Sequence, residues 1–205
     1  MLEPVGCLAE FPSAPFHEIA VRCFGRKGKV SPSGSRSYWH LLNLMGEGAS
    51  SPPAEALEIE AVNAASVYED TMPALRELKA MGIHLSIASS LSAAAITRFL
   101  EKNSLGEFFS GVWNRDNSCG IKEVPLVRAL RGASLEPENA IFLTDTGEGI
   151  KVARSAGVHP ILMMNDPDEA RRLAMRNPAG GVVSLLEIPD FIRLLAAENR
   201  VPPLL

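Results

Sequence analysis

From Tyr68 onward the chain alternates helix-period segments with short apolar, β-rich runs, and this rhythm constrains the fold more than any other feature. Met72, Leu75, Leu78 and Met81 recur at a one-face helical spacing, and Gly82 follows as a C-terminal stop. Ile83–Ala88 is a β-rich run, followed by Ser89, Ser90 and a helix to about Leu100. Gly111–Trp113 reads as an edge strand, Val124–Arg131 as a helix and Ala140–Leu143 as a strand. Gly147–Ala156 is a helix closed by Gly157, Pro160–Met163 a strand and Pro167–Met175 a helix. Gly181–Val183 is a last short strand before a closing helix over Ile188–Glu198. Strands and helices alternating at these lengths build βαβ units. The expected fold class is therefore α/β, a doubly wound and mostly parallel sheet.

The first third has another style. Ser31–Ser35 and Gly46–Pro53 are rich in Ser, Gly and Pro and read as loops. Tyr38–Met45 between them is a short apolar helix, and Ala54–Val67 is a second, Ala- and Glu-rich one. No internal repeat is visible. The 205 residues suit one domain with a small insertion. The organisation expected is a first core strand within 1–11, an inserted helical segment over 12–66 and an α/β core over 67–205.

Composition excludes several classes of function. Twenty basic against 24 acidic residues give a formal charge of −4, with no broad positive field for nucleic acid. No apolar stretch reaches the ~20 residues of a membrane span. Cys7, Cys23 and Cys119 are odd in number and form no CxxC pair; His17, His40, His84 and His159 stand apart. That argues against a disulfide framework or a cysteine-rich zinc site and suits a reducing compartment. Met1–Pro4 does not begin a signal peptide. A cytoplasmic protein with neither nucleic-acid nor membrane partners is expected, its oligomeric state open.

In doubly wound sheets ligands bind beyond the carboxyl ends of the strands. Those positions hold Ser89-Ser90 and Thr144-Asp145-Thr146, and Lys122 lies in the loop opening the next helix. A serine hydroxyl with the unpaired amides of a helix start can hold a phosphoryl oxygen; equally, Ser89, Ser90 or Ser92 can be an N-cap. Lys122 can neutralise a phosphoryl group or be a solvated surface lysine. Asp145 suits Mg2+, which takes a few carboxylates with waters and phosphate oxygens, or is a turn aspartate.

Three stretches carry a resemblance to a known family: Tyr68–Gly82, Leu85–Ser89 and Ala140–Gly157, in that order, with Lys122 and Pro125 between the last two. The chain from Val67 on resembles the haloacid dehalogenase (HAD) superfamily, in its phosphoglycolate-phosphatase-like branch with a helical cap. Gly180–Asp190 resembles the closing segment of that branch. The resemblance implies a Rossmann-type core with a small cap inserted after the first motif, where 12–66 falls. It implies a phosphorylated small molecule as ligand, Ser89, Ser90 and Lys122 on the phosphate, and Mg2+ held by Asp145 with help from Glu148. Tyr38, Trp39, Leu41, Leu42 and Met45 either line a cap face over the site or form the cap's own core.

The family's first motif, DxDGT, supplies a nucleophilic aspartate and a second aspartate as general acid and base. This chain has no aspartate before Asp70. In one register Leu2–Glu10 overlays the motif, Glu3 takes the nucleophile's place and Val5 that of the general acid. In the other, Val5–Ala9 is the first strand, Glu10 follows it and Pro12 stands in the second position; this register is preferred, because otherwise almost nothing remains to build a central strand. Candidate catalytic residues are thus Glu10, Glu3 and Lys122. In either register the general acid is missing, and with first-motif carboxylates gone Mg2+ affinity is expected to fall. Two functions follow: a pseudoenzyme that binds a phosphorylated ligand or a partner without efficient hydrolysis, or an active Mg2+-dependent phosphatase acting on a small phosphate ester.

Overall fold

The computed structural model describes residues 1–12, 52–165 and 167–197. The expected helix over Tyr38–Met45 and the cap face of Tyr38, Trp39, Leu41, Leu42 and Met45 lie outside the described residues. The elements are β1 (Ala9–Glu10), α1 (Pro52–Ala64), β2 (Ser66–Val67), α2 (Thr71–Ala80), β3 (Ser86–Ala88), α3 (Ala93–Lys102) and β4 (Gly111–Trp113). They continue as α4 (Arg115–Ser118), α5 (Glu123–Ala133), β5 (Ile141–Thr144), α6 (Gly147–Ser155), β6 (His159–Met163), α7 (Pro167–Ala174), β7 (Gly180–Val182) and α8 (Ile188–Ala197). Every strand and helix expected after residue 67 is present, with ends shifted by a few residues.

The helices form where one face can be buried. In α2 that face is Thr71, Ala74, Leu75 and Leu78, spaced i, i+3, i+4 and i+7. Its end is a Schellman turn: Gly82 at φ +77 donates its N–H to the Lys79 carbonyl at 3.0 Å, and Ile83 donates to Leu78 at 3.1 Å. Ala95, Ile96 and Phe99 of α3 are equally buried. Each large apolar side chain removed from water in this way contributes about 1.5–3 kcal/mol before entropy is counted.

β3 pairs in parallel with β4, and β5, β6 and β7 pair in parallel in that order. Residues 1–3 join these two halves. Leu2 forms parallel bridges to both Ile87 and Leu143. Its N–H donates to the Ser86 carbonyl at 3.1 Å, and the Leu143 N–H donates to the Met1 carbonyl at 3.0 Å. The order across the sheet is therefore β4, β3, residues 1–3, β5, β6, β7.

This corrects the preferred strand register. Val5–Ala9 is not the first strand. Gly6, at φ +74, donates to the Ala9 carbonyl at 2.9 Å, and Leu8 donates to the Pro4 carbonyl at 3.0 Å, so residues 4–9 fold into a tight turn. β1 then pairs antiparallel with β2, Ala9 opposite Val67 and Glu10 opposite Ser66. Val5, Cys7, Leu8 and Ala9 are all buried because the turn packs into the core. A short continuous apolar run reads alike in either setting.

Helix α1, which falls within the expected insertion, packs against α3 of the core. Glu58 of α1 is fully buried and ion-paired with the buried Arg115. No helix among the described residues is long and apolar enough to cross a membrane.

Candidate functional site at the carboxyl edge of the sheet

Strand order reverses at residues 1–3, with β3 on one side and β5 on the other. Such a switch point leaves a crevice beyond the carboxyl ends of the strands. Glu3 follows Leu2 at that crevice and is buried. Ser89 follows β3 directly and Asp145 follows β5 directly. Neighbouring strands lie roughly 4.8 Å apart, so the topology gathers Glu3, Ser89 and Asp145 on three adjacent strands. Glu10 is elsewhere: it is exposed on the antiparallel β1 and stands off the parallel sheet.

The Ser89–Ser92 loop is held from several directions. The Ser89 N–H donates to the Trp113 carbonyl at 3.0 Å, and the Ser89 Oγ accepts from the Leu91 N–H at 3.2 Å. The Ser90 Oγ accepts from the Lys122 N–H at 2.7 Å, while Arg115 Nη1 donates to the Ser90 carbonyl at 3.1 Å. Both hydroxyls accept in these bonds, which leaves their own protons for a ligand oxygen.

The start of α3 departs from the expected vacant amides. Ser92 is its N-cap, accepting from Ala95 N–H at 3.2 Å. The Ser92 N–H donates to Glu58 Oε2 at 3.0 Å, and the Ala93 N–H donates to Asp116 Oδ2 at 2.7 Å. Two carboxylates thus occupy donors that an anion would need. Any phosphate recognition on this side falls to Ser89, Ser90 and Lys122 rather than to the helix terminus.

On the other side, Thr144 and Thr146 are buried around the half-buried Asp145. Thr146 caps α6, its Oγ1 accepting from the Gly149 N–H at 3.0 Å, and lies 3.3 Å from Thr144 Oγ1. A Cβ at Gly149 would stand 1.9 Å from Thr144 Oγ1. A side chain at position 149 therefore cannot be added without moving Thr144. Glu148, next to it, is exposed and lines a cavity between α5 and α6 together with Lys122.

Lys122 caps the start of α5 at φ 61 and ψ −110, outside the ordinary wells of an L-residue. The Ser90 hydroxyl accepts from the N–H of that residue at 2.7 Å. The connection from Ser89 through Ser90 to Lys122 is therefore built into the fold.

Two residues that sequence reasoning passed over lie at this edge. Cys7 is fully buried, and burial pushes its thiol up, assisted by the Asp145 and Glu3 carboxylates against main-chain hydrogen bonding from those same two residues. The thiol is held neutral beside both carboxylates. Tyr68 is half-buried, and its phenol is also raised, first by burial and then by Asp145, Cys7, Glu10 and Asp70. Cys7 lies inside the Leu2–Glu10 run that signalled the first motif, and Tyr68 opens the stretch that signalled the core; nothing local marked either as facing the site.

The magnesium ion implied by the resemblance needs one or two carboxylates together with waters and phosphate oxygens. Among the described residues no three His, Cys, Asp or Glu side chains gather to hold a metal. Val5 adds no side-chain oxygen to Glu3 and Asp145. Glu3 and Asp145 meet the carboxylate requirement at its minimum, so an ion held by them would take its remaining ligands from water and a phosphate.

Comparison with known proteins agrees with the architecture. Residues 54–163, more than half of the chain, match the family model described as haloacid dehalogenase-like hydrolase. The enolase-phosphatase E1 of Persephonella marina is 34% identical over 109 residues, covering 51% of this chain and 47% of that protein. The phosphoglycolate phosphatase of Pseudomonas savastanoi pv. phaseolicola is 24% identical over 138 residues, 66% of this chain and 51% of that one. The chain spans about half the length of these relatives. A conserved haloacid dehalogenase-like protein of unknown function from Agrobacterium tumefaciens superposes with a TM-score of 0.71 at 18% identity, over 95% of this chain and 97% of that one. A haloacid dehalogenase-like hydrolase from Streptococcus pneumoniae superposes at 0.68 and 18% identity, over 93% and 96%. Members of this superfamily generally use Mg2+. With the switch-point crevice, the strand-end serine and aspartate and this match in hand, the chain belongs to the haloacid dehalogenase-like hydrolase family.

Proposed function

We propose that this chain binds a phosphorylated small molecule at the carboxyl edge of its sheet without hydrolysing it efficiently by the aspartyl route. The observation that carries the reading is Val5, buried two residues after Glu3 where that chemistry calls for a second carboxylate. A positioned general acid is worth about 10²–10⁴ in rate. Glu3 is one methylene longer than aspartate, and in-line attack tolerates little misplacement. What remains suits recognition: hydroxyl protons on Ser89 and Ser90, and the charge of Lys122.

A second reading is favoured by the adjacent-strand placement of Glu3 and Asp145. On that reading the chain is an active Mg2+-dependent phosphatase for a small phosphate ester, in keeping with its enolase-phosphatase and phosphoglycolate phosphatase relatives. The two separate in one assay. Purified protein with Mg2+ and p-nitrophenyl phosphate is expected to give only background turnover, while calorimetry detects inorganic phosphate binding that weakens in Ser89→Ala. Robust Mg2+-dependent hydrolysis, abolished by Asp145→Asn and by Glu3→Gln, overturns the first reading and establishes the second.

A further inference from the structure

Helices α5 and α6 pack side by side, and the surface between them is concave rather than closed. A cavity of about 530 Å³ runs along their outer faces, within the range of small-molecule sites. The inner face of α5 is Pro125, Leu126, Ala129 and Leu130, buried against the core. Its outer face, Val124, Val127, Arg128 and Arg131, is a second stripe at i, i+3, i+4 and i+7 and lines the cavity. Opposite it, α6 presents Glu148, Lys151, Val152 and Ser155 at the same spacing. Two such stripes extend roughly 10 Å along their helices.

The charge of this wall is out of keeping with the molecule. The chain carries −4 overall, yet four basic side chains line the cavity against two acidic ones, Glu123 and Glu148. Elsewhere, Lys79, Arg115, Arg171 and Arg193 have carboxylate partners. Among the described residues Lys122, Arg128, Arg131 and Lys151 have no carboxylate partner, as is also true of Arg76, Arg154 and Arg176, and what sets the four apart is that they line one cavity. Like charges at i, i+3 are mildly destabilising, and low-dielectric walls concentrate their field. Arginine pairs with phosphate in a two-point fork that lysine does not match. The half-buried Val127 and Val152 make an apolar floor between the charged walls.

We propose that the groove between α5 and α6 binds a small organic molecule carrying two or more phosphate groups, with the phosphates on Arg128, Arg131 and Lys151 and the body of the molecule on Val127 and Val152. Two anionic groups are required because the cations stand on both walls, and an apolar body because the floor between them is aliphatic. The groove shares Lys122 and Glu148 with the edge of the crevice, whereas Arg128, Arg131 and Lys151 lie on helix surfaces, a turn or more beyond the starts of their helices. It goes beyond the function proposed above and does not depend on it.

Calorimetric titration with ADP as probe, pyrophosphate as the bare anion and adenosine as the uncharged control tests the groove. ADP is expected to bind more tightly than pyrophosphate, and adenosine not at all. Arg128→Glu/Arg131→Glu and, separately, Lys151→Glu each weaken ADP at least tenfold, and Arg76→Glu, a charge reversal at an exposed position on α2, leaves it unchanged. All three positions on the groove are exposed, and thermal melts confirm that the variants fold. The proposal is overturned if ADP does not bind, if adenosine binds equally well, or if binding survives charge reversal on either wall. Loss of ADP binding in Ser89→Ala alone also overturns it, moving the anion to the sheet edge. Failure of inorganic phosphate to bind there defeats only the crevice reading and leaves the groove standing.

Discussion

At residue scale, the candidate site is shaped as much by what a side chain excludes as by what it offers. Gly149 is the clearest case. It sits in the first turn of α6, where helix propensity alone disfavours glycine by about 1 kcal/mol relative to alanine. Thr144 explains its presence, since a Cβ there would lie 1.9 Å from Thr144 Oγ1 and 2.7 Å from Thr144 Cβ. Gly149→Ala is expected to destabilise the protein by about 1–3 kcal/mol, the usual cost of overpacking, despite the better helix former. A shift of the urea midpoint to lower concentration checks it; an unchanged or higher midpoint would show that the threonine yields freely. The sequence gives no sign of this constraint, because the threonine that crowds position 149 is five residues away and faces it only once the strand meets the helix.

At the scale of elements, the loop after β3 is governed by a helix distant in sequence. Glu58 of α1 accepts from Arg115 Nη1 with one oxygen and from the Ser92 N–H at 3.0 Å with the other, and Arg115 also donates to the Ser90 carbonyl. One buried pair thus joins α1, the start of α3, α4 and the serine loop. Removing a single partner of a buried ion pair leaves a charge without compensation and costs about 3–5 kcal/mol. Glu58→Gln and Arg115→Met are each expected to lose stability on that scale, and the double replacement to lose less than the two single losses together. Urea unfolding of the four proteins closes the cycle; strict additivity would deny the coupling. Neither residue was legible as structural, because they are 57 positions apart and a charged residue on an Ala-rich helix normally reads as solvated. The helices themselves were legible, since their faces repeat locally.

At the scale of the whole molecule, residues 1–3 make the sheet of the described residues continuous. Leu2 is bridged to both halves, and its N–H donates to Ser86 while its carbonyl accepts from Ala88. Proline in a central strand removes a ladder donor and clashes with its neighbours. Leu2→Pro is expected to abolish the cooperative thermal transition or lower it by more than 10 °C, followed by near-ultraviolet circular dichroism. A transition within 2 °C of the parent would mean that the two half-sheets hold together without this strand. The same three residues put Glu3 at the switch point, so fold and candidate site share one short segment.

The chain by itself determined the alternation of strand and helix after residue 67, the helix stops at Gly82 and Gly157, the family, and the absence of any aspartate before Asp70. Each depends on residue order and local periodicity, which a sequence carries directly. Tertiary structure alone decided that Glu3 rather than Glu10 reaches the sheet edge, that carboxylates already occupy the amides at the start of α3, and that Lys122 opens onto a basic groove. These depend on which distant segments lie against one another. A buried apolar run such as Val5–Ala9 satisfies the hydrophobic effect equally as a strand or as a turn, and only the hydrogen bonds of its neighbours choose between them.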